Sequence, residues 1–218
     1  NLMTTELKKR TITSVFLLIL FALMFFYSYI LIISLIIIGL ISWIEFYSLI
    51  SKIYKKKNFL MTTFKALALV YLSSIVFGIF FIVANKPELK IFFLFIITVS
   101  IASDIGGLTF GKYFKGKKLT KISPKKTISG AIGSFVFSFI TIPFYKHLII
   151  NHELFSLFVI TALISLTTQL GDLFISLIKR KAKVKNTSDI LPGHGGMLDR
   201  IEGIIFAIPI GFFLLSYF

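Results

Sequence analysis

The sequence has no cysteine, which excludes disulfides and thiolate metal sites. Its three histidines, His147, His152 and His194, are too few and too scattered for a zinc centre. Carboxylates are also scarce, nine Asp and Glu against 24 Lys and Arg. No motif of a nucleic-acid reader accompanies the basic residues, so nucleic acid is not an expected partner. No internal repeat and no soluble domain stand out. No small-residue cleavage site follows the first apolar run, which is read as a retained span. The long runs lack the polar–apolar alternation of a membrane β-barrel.

What is present is apolar. The chain of 218 residues is 56% hydrophobic with a mean hydropathy of +0.93. Soluble domains of this length do not have that composition. Several runs approach the roughly 20 residues that cross a bilayer as a helix. The fold class expected is all-α, a polytopic integral membrane protein. Seven spans are expected near 12–29, 30–50, 65–85, 89–110, 130–150, 154–178 and 200–218. The first two are divided at Tyr27-Ser28-Tyr29, because one helix over both would overshoot the bilayer. The reading is a single membrane domain over 1–218, with N-terminal spans in 1–100 and the chemistry-bearing motifs in 101–205.

The basic residues orient these spans. Lys8, Lys9 and Arg10 precede the first. Lys52, Lys55, Lys56, Lys57 and Lys65 lie around the second loop. Lys112, Lys115, Lys117, Lys118, Lys121, Lys125 and Lys126 separate spans four and five. Lys179, Arg180, Lys181, Lys183, Lys185 and Arg200 separate six and seven. Only Lys86, Lys90 and Lys146 fall on the other face. The expected topology puts the N-terminus and the basic loops in the cytoplasm and the C-terminus outside. Part of this charge serves attraction to anionic headgroups.

Intramembrane carboxylates are costly and therefore informative. Glu45, Asp104 and Asp172 lie in or at the ends of spans. Glu45 is expected to pair with a basic residue at the membrane edge. Gly106 to Lys112 reads GxxxxGK, but Tyr113 stands where a P-loop places Ser or Thr. Gly107 and Gly111 are read instead as allowing close helix packing. Ser123-Pro-Lys125-Lys126-Thr127 followed by Ser129-Gly130 forms an anion-binding arrangement at a helix start. Gln169, Asp172, Ser176 and Lys179 share one helix face. Then comes Leu191-Pro-Gly-His194-Gly195-Gly196-Met-Leu-Asp199-Arg200, whose glycines let backbone approach a ligand. Asp172 and Asp199 suit Mg²⁺, a hard cation that takes oxygen ligands and substrate phosphates, with one or two ions left open.

These residues resemble a known family. Ser176-Leu-Ile-Lys179-Arg180, Lys185 and the stretch from Leu191 to Ile201 are similar to the signature of phosphatidate cytidylyltransferases. Gln169-Leu-Gly-Asp172, the Ser123–Thr127 loop and Asp104 with its glycines match as well. The match covers roughly 100–205. Asn186 and Glu202 stand where that family usually has Asp. The resemblance implies transfer of CMP from CTP to phosphatidic acid, giving CDP-diacylglycerol and pyrophosphate, with Mg²⁺. Asp172 and Asp199 would hold the metal. Lys179, Arg180 and Arg200 would neutralise phosphates, and Ser176 would orient a phosphate or a metal-bound water. Ser123, Lys125, Lys126 and Thr127 would hold the triphosphate, with His194, Gly195 and Gly196 beside the substrate. A homodimer in a bacterial inner membrane is expected on the resemblance alone. The rival readings are a CTP-dependent enzyme with another lipid acceptor, an anion transporter and a lipid-binding scaffold.

Overall fold

The computed structural model describes residues 2–54, 58–120, 122–149 and 153–217. Lys55, Lys56, Lys57, Lys121 and His152 lie outside the described residues. The described chain is helical, with no strand beyond two isolated bridges.

The elements are α1 (Leu2–Phe26), α2 (Ser28–Ile53), α3 (Asn58–Asn85), α4 (Lys90–Phe114), α5 (Ile128–Phe139), α6 (Ile142–Lys146), α7 (Leu154–Lys181), α8 (Leu198–Ile201) and α9 (Ile204–Tyr217). The break at Tyr27, whose backbone is extended, falls inside the expected divide. Lys86 ends α3 in a non-helical conformation, as a residue before proline prefers, and Pro87 opens a short 3₁₀ turn. Lys115 and Gly116 both take positive φ and stop α4.

Among the described residues, five helices are long and apolar enough to cross a membrane: Ser28–Ile53, Phe59–Asn85, Pro87–Phe114, Ile128–Lys146 and Leu154–Lys181. The chain is thus a helical integral membrane protein. The outer two expected spans correspond to shorter apolar stretches, Thr11–Met24 within α1 and the 14 residues of α9.

The chain forms two compact units, and the first is discontinuous. Unit 1 comprises residues 1–85 and 178–201; unit 2 comprises 86–177 and 202–218. In unit 1, α2 packs on α3 and α1, and α8 rests on α2. Leu31, Leu49, Ile50 and Leu198 are buried there. In unit 2, α4 packs on α5 and α9. Gly106 and Gly133 bring α4 and α5 together so closely that a Cβ on either would collide with the other helix. Gly107 and Gly111 contribute to the same seam, facing Ser134 and Thr127. Small residues thereby let two backbones meet where lipid offers no hydrophobic drive. Hydroxyls link α4 to α7, with Ser103 Oγ 2.9 Å from Ser165 Oγ and Ser100 Oγ 3.0 Å from Thr168 Oγ1.

Candidate active site

Unit 1 holds the loop that follows α7. Apart from the end of α7 and the short α8, its backbone is irregular, so its polar groups need partners from side chains. Two buried carboxylates supply them. Asp199 Oδ1 accepts from Lys179 Nζ at 2.7 Å. Asp199 Oδ2 accepts from Thr187 N at 2.8 Å, Gly196 N at 2.9 Å and Thr187 Oγ1 at 3.0 Å. Burial pushes the Asp199 carboxyl upward. The Lys179 hydrogen bond, the Gly196 and Thr187 amides and the lysine charge outweigh it and hold the group below its ordinary value.

Glu45 is the second carboxylate, and here the structure corrects the sequence reading. Its partners are neutral rather than basic. Oε1 accepts from Ser188 Oγ at 2.5 Å and Met197 N at 3.0 Å. Oε2 accepts from Leu198 N and from Thr187 Oγ1, both at 2.8 Å, the hydroxyl's single proton being shared with Asp199 Oδ2. The physical reason is the start of α8, whose first amides lack helical partners and are satisfied by the carboxylate from α2. Glu45 is 2% exposed, so the four donors replace its water shell.

The glycines of the loop have separate reasons. Gly195 takes φ +84, the left-handed region that suits glycine. Gly196 has no room, because a Cβ there would lie 2.6 Å from both Glu45 oxygens and overlap Thr187 Oγ1. Arg200 is folded onto the loop, donating from Nε and Nη2 to the His194 carbonyl at 3.0 and 2.6 Å. His194 Nε2 lies 3.3 Å from Ser14 Oγ on α1, and its Nδ1 is buried without a partner among the described residues. Thr13 Oγ1 donates to the Pro192 carbonyl at 3.1 Å. Arg180 is exposed at the end of α7, with Nη1 3.3 Å from the Val184 carbonyl.

Unit 2 holds the other predicted group. Lys126 Nζ lies 2.5 Å from Asp172 Oδ2, and Ser176 Oγ donates to Asp172 Oδ1 at 3.2 Å. Lys126 reaches α7 from a turn closed by its own N–H on the Ser123 carbonyl at 3.0 Å. Thr127 then caps α5, its hydroxyl accepting from Gly130 N at 3.1 Å. Lys125 is exposed on that turn. Gln169 joins the α4–α7 seam instead, donating to Ser165 Oγ at 3.4 Å.

The structure thus gathers Lys126, Asp172 and Ser176 in unit 2. It gathers Lys179, Asp199, Gly195 and Gly196 in unit 1. Sequence reasoning missed Thr187 and Ser188 as loop organisers. Their only signal was a pair of hydroxyls inside the polar insert. The donor chemistry suits a hard cation, since both carboxylates offer oxygen and each already carries an ammonium. Asp199 Oδ2 is fully used, which leaves Oδ1 to exchange its lysine for another cation. Among the described residues no three His, Asp or Glu side chains come together. An ion would therefore lean on substrate phosphates and water, as Mg²⁺ does.

Comparison with known proteins agrees with these motifs. A family model described as the cytidylyltransferase family matches residues 4–218. A phosphatidate cytidylyltransferase of Rickettsia bellii is 42% identical over 138 residues, 60% of this chain and 58% of the relative. One from Bacillus subtilis is 34% identical over 158 residues, 71% of this chain and 58% of the relative. One from Staphylococcus saprophyticus is 33% identical over 167 residues, 75% and 62% of the two chains. The chain spans about six-tenths of the length of the curated relatives it matches. With its motifs folded around two lysine-paired carboxylates and the family match running almost end to end, this chain belongs to the cytidylyltransferase family.

Proposed function

We propose that the chain is a phosphatidate cytidylyltransferase. A phosphate oxygen of phosphatidic acid attacks the α-phosphorus of CTP. The bond from that phosphorus to the oxygen bridging the β-phosphate breaks. CDP-diacylglycerol forms and pyrophosphate leaves. Such transfers depend on positioning and charge neutralisation. The observation that carries the reading is the presentation, in each unit, of a carboxylate with a lysine ammonium and a hydroxyl beside it. Such a set takes both a cation and phosphates. The relatives' names supply the acceptor.

Lys126, Lys125, Ser123 and Thr127 would bind the triphosphate at the start of α5, where backbone N–H groups and helix polarity favour anions. Lys179, Arg180 and Arg200 would neutralise phosphate charge, and Ser176 would orient a phosphate oxygen. His194, Gly195 and Gly196 would border the substrate. Mg²⁺ is the cation we propose, with Asp172 and Asp199 each a candidate carboxylate ligand, and it would supply charge neutralisation at the phosphates. Thr11–Met24 and α9 would complete seven spans. The basic loops would face the cytoplasm of a bacterial inner membrane, where CTP is available. A homodimer is part of the same proposal, and the protein's mass in mild detergent tests it.

The test is turnover by the purified chain in liposomes with labelled CTP, phosphatidic acid and Mg²⁺. CDP-diacylglycerol and pyrophosphate should appear only when all three are present and should vanish with a chelator. Product from another lipid phosphate, with none from phosphatidic acid, would replace the acceptor.

A further inference from the structure

Unit 1 contains a buried cation that the proposed reaction does not use. Lys65 on α3 is 8% exposed. Its ammonium lies 3.4 Å from the centroid of the Tyr47 ring on α2. Among the described residues no carboxylate is paired with it. A ring face offsets part of the cost of taking an ammonium out of water but accepts no conventional hydrogen bond. A lysine in this position calls for an anion.

An apolar groove of about 390 Å³ runs between α2 and α3, starting one helical turn from Lys65. Leu35, Gly39 and Trp43 line it from α2, and Leu72, Val76 and Phe80 from α3. Gly39 keeps it open, since a Cβ there would come 3.1 Å from the Val76 side chain. Lys65 precedes Leu69, the groove's first residue on α3, by one helical turn. The α3 wall from Leu69 to Phe80 is roughly 16 Å long at the rise of an α-helix. Trp43 packs edge-on against Tyr47, and its indole N–H points at the Lys65 carbonyl, 3.4 Å away. Trp and Tyr are the residues that sit at headgroup level. A narrow apolar channel ending in aromatic rings and a lone ammonium has the chemistry of an acyl chain with a phosphate at its head.

The groove is also separate from the motif loop. Trp43 and Tyr47 each stand two residues from Glu45, which turns them about 200° around α2. Glu45 faces the loop, so the groove faces the other way. We infer that the α2–α3 groove of unit 1 holds an anionic phospholipid that is not the reacting one, with its phosphate on Lys65 and one acyl chain past Gly39. A second copy of the chain fits less well, since an apolar interface would leave the ammonium without an anion.

The test is native mass spectrometry of the delipidated chain, titrated with phosphatidylglycerol, phosphatidic acid or phosphatidylcholine. One phosphatidylglycerol should be retained at least about tenfold more tightly than phosphatidylcholine, as a charge-assisted contact predicts. Lys65→Gln should erase that preference and Lys65→Arg should keep it. Gly39→Phe should abolish retention of both lipids. Turnover should remain in all three variants, which also shows that they fold. Equal retention of charged and neutral lipid would overturn the proposal, as would an unchanged preference in Lys65→Gln. A raised KM for phosphatidic acid in Lys65→Gln would overturn the claim that this lipid is not the substrate. Monomer release by Gly39→Phe would assign the groove to a second copy and overturn the lipid. Failure of the proposed reaction would leave these lipid measurements unaffected.

Discussion

The two lysine–carboxylate pairs look alike in the sequence and differ in their surroundings. In unit 1 the Lys179 and Asp199 side chains are 8% and 7% exposed, and Asp199 accepts from four donors. In unit 2 the Lys126 and Asp172 side chains are 25% and 23% exposed, and among the described residues only Ser176 joins them. A buried pair whose carboxylate also accepts from backbone amides fixes backbone. A partly exposed pair can exchange its partner at less cost. The same residue types therefore serve different ends, Asp199 as a loop organiser with one oxygen left to exchange, Asp172 as the more open ligand.

Neutralising each acid breaks this comparison most sharply. Asp199→Asn and Asp172→Asn should both remove nearly all turnover, but only Asp199→Asn should also lower stability. It removes the carboxylate charge that Asp199 sets against the buried Lys179 ammonium, at a cost of about 3–5 kcal/mol. Asp172→Asn should cost about 1 kcal/mol or less. Thermal unfolding in detergent beside a CTP turnover assay separates the two, and equal melting temperatures would cancel the distinction.

Glu45→Ala comes next. It strips an acceptor from four donors at once and should lower turnover more than about tenfold with a clear loss of stability. Limited proteolysis should cut first within 185–197, and cleavage elsewhere would deny Glu45 its hold on the loop. Gly196→Ala tests the same clamp by steric means. Its methyl group would displace Thr187 and Glu45, and the drop in turnover should resemble that of Glu45→Ala.

The smallest effect is that of pH. The folded Asp199 carboxyl lies below its ordinary value, so it binds fewer protons than in the unfolded chain. Its stabilisation is present above the unfolded value of about 3.9 and is lost as pH falls through the lower folded one. Unfolding midpoints from pH 8 down to about 5 should show no contribution from Asp199. A wild-type gain in stability as pH falls across that range, abolished by Asp199→Asn, would reverse the sign of the shift.

Much of the fold was legible because a bilayer leaves few options. Apolar runs of about 20 residues must be helices, and among the described residues five of the expected segments hold helices long and apolar enough to span, with the first divide at Tyr27. Gly107 and Gly111 were read as a packing seam and lie in one, although Gly106 and Gly133 make its closest approach. The ends were less legible. Thr11–Met24 and α9 are short as apolar stretches, and hydropathy alone did not mark that. Glu45 was misread because its partners lie about 140 residues away, and no local pattern announces such donors.

By itself the sequence determined a helical membrane protein, its motif-bearing loops and the acids and bases they carry. Those follow from side-chain chemistry and short-range periodicity, which a linear text preserves. Only the tertiary structure decided which lysine sits on which carboxylate, that Glu45 holds the loop through neutral donors, and that Lys65 is buried beside a groove. Burial and partner choice depend on long-range packing, and the cost of an unpartnered charge is set by what surrounds it in space.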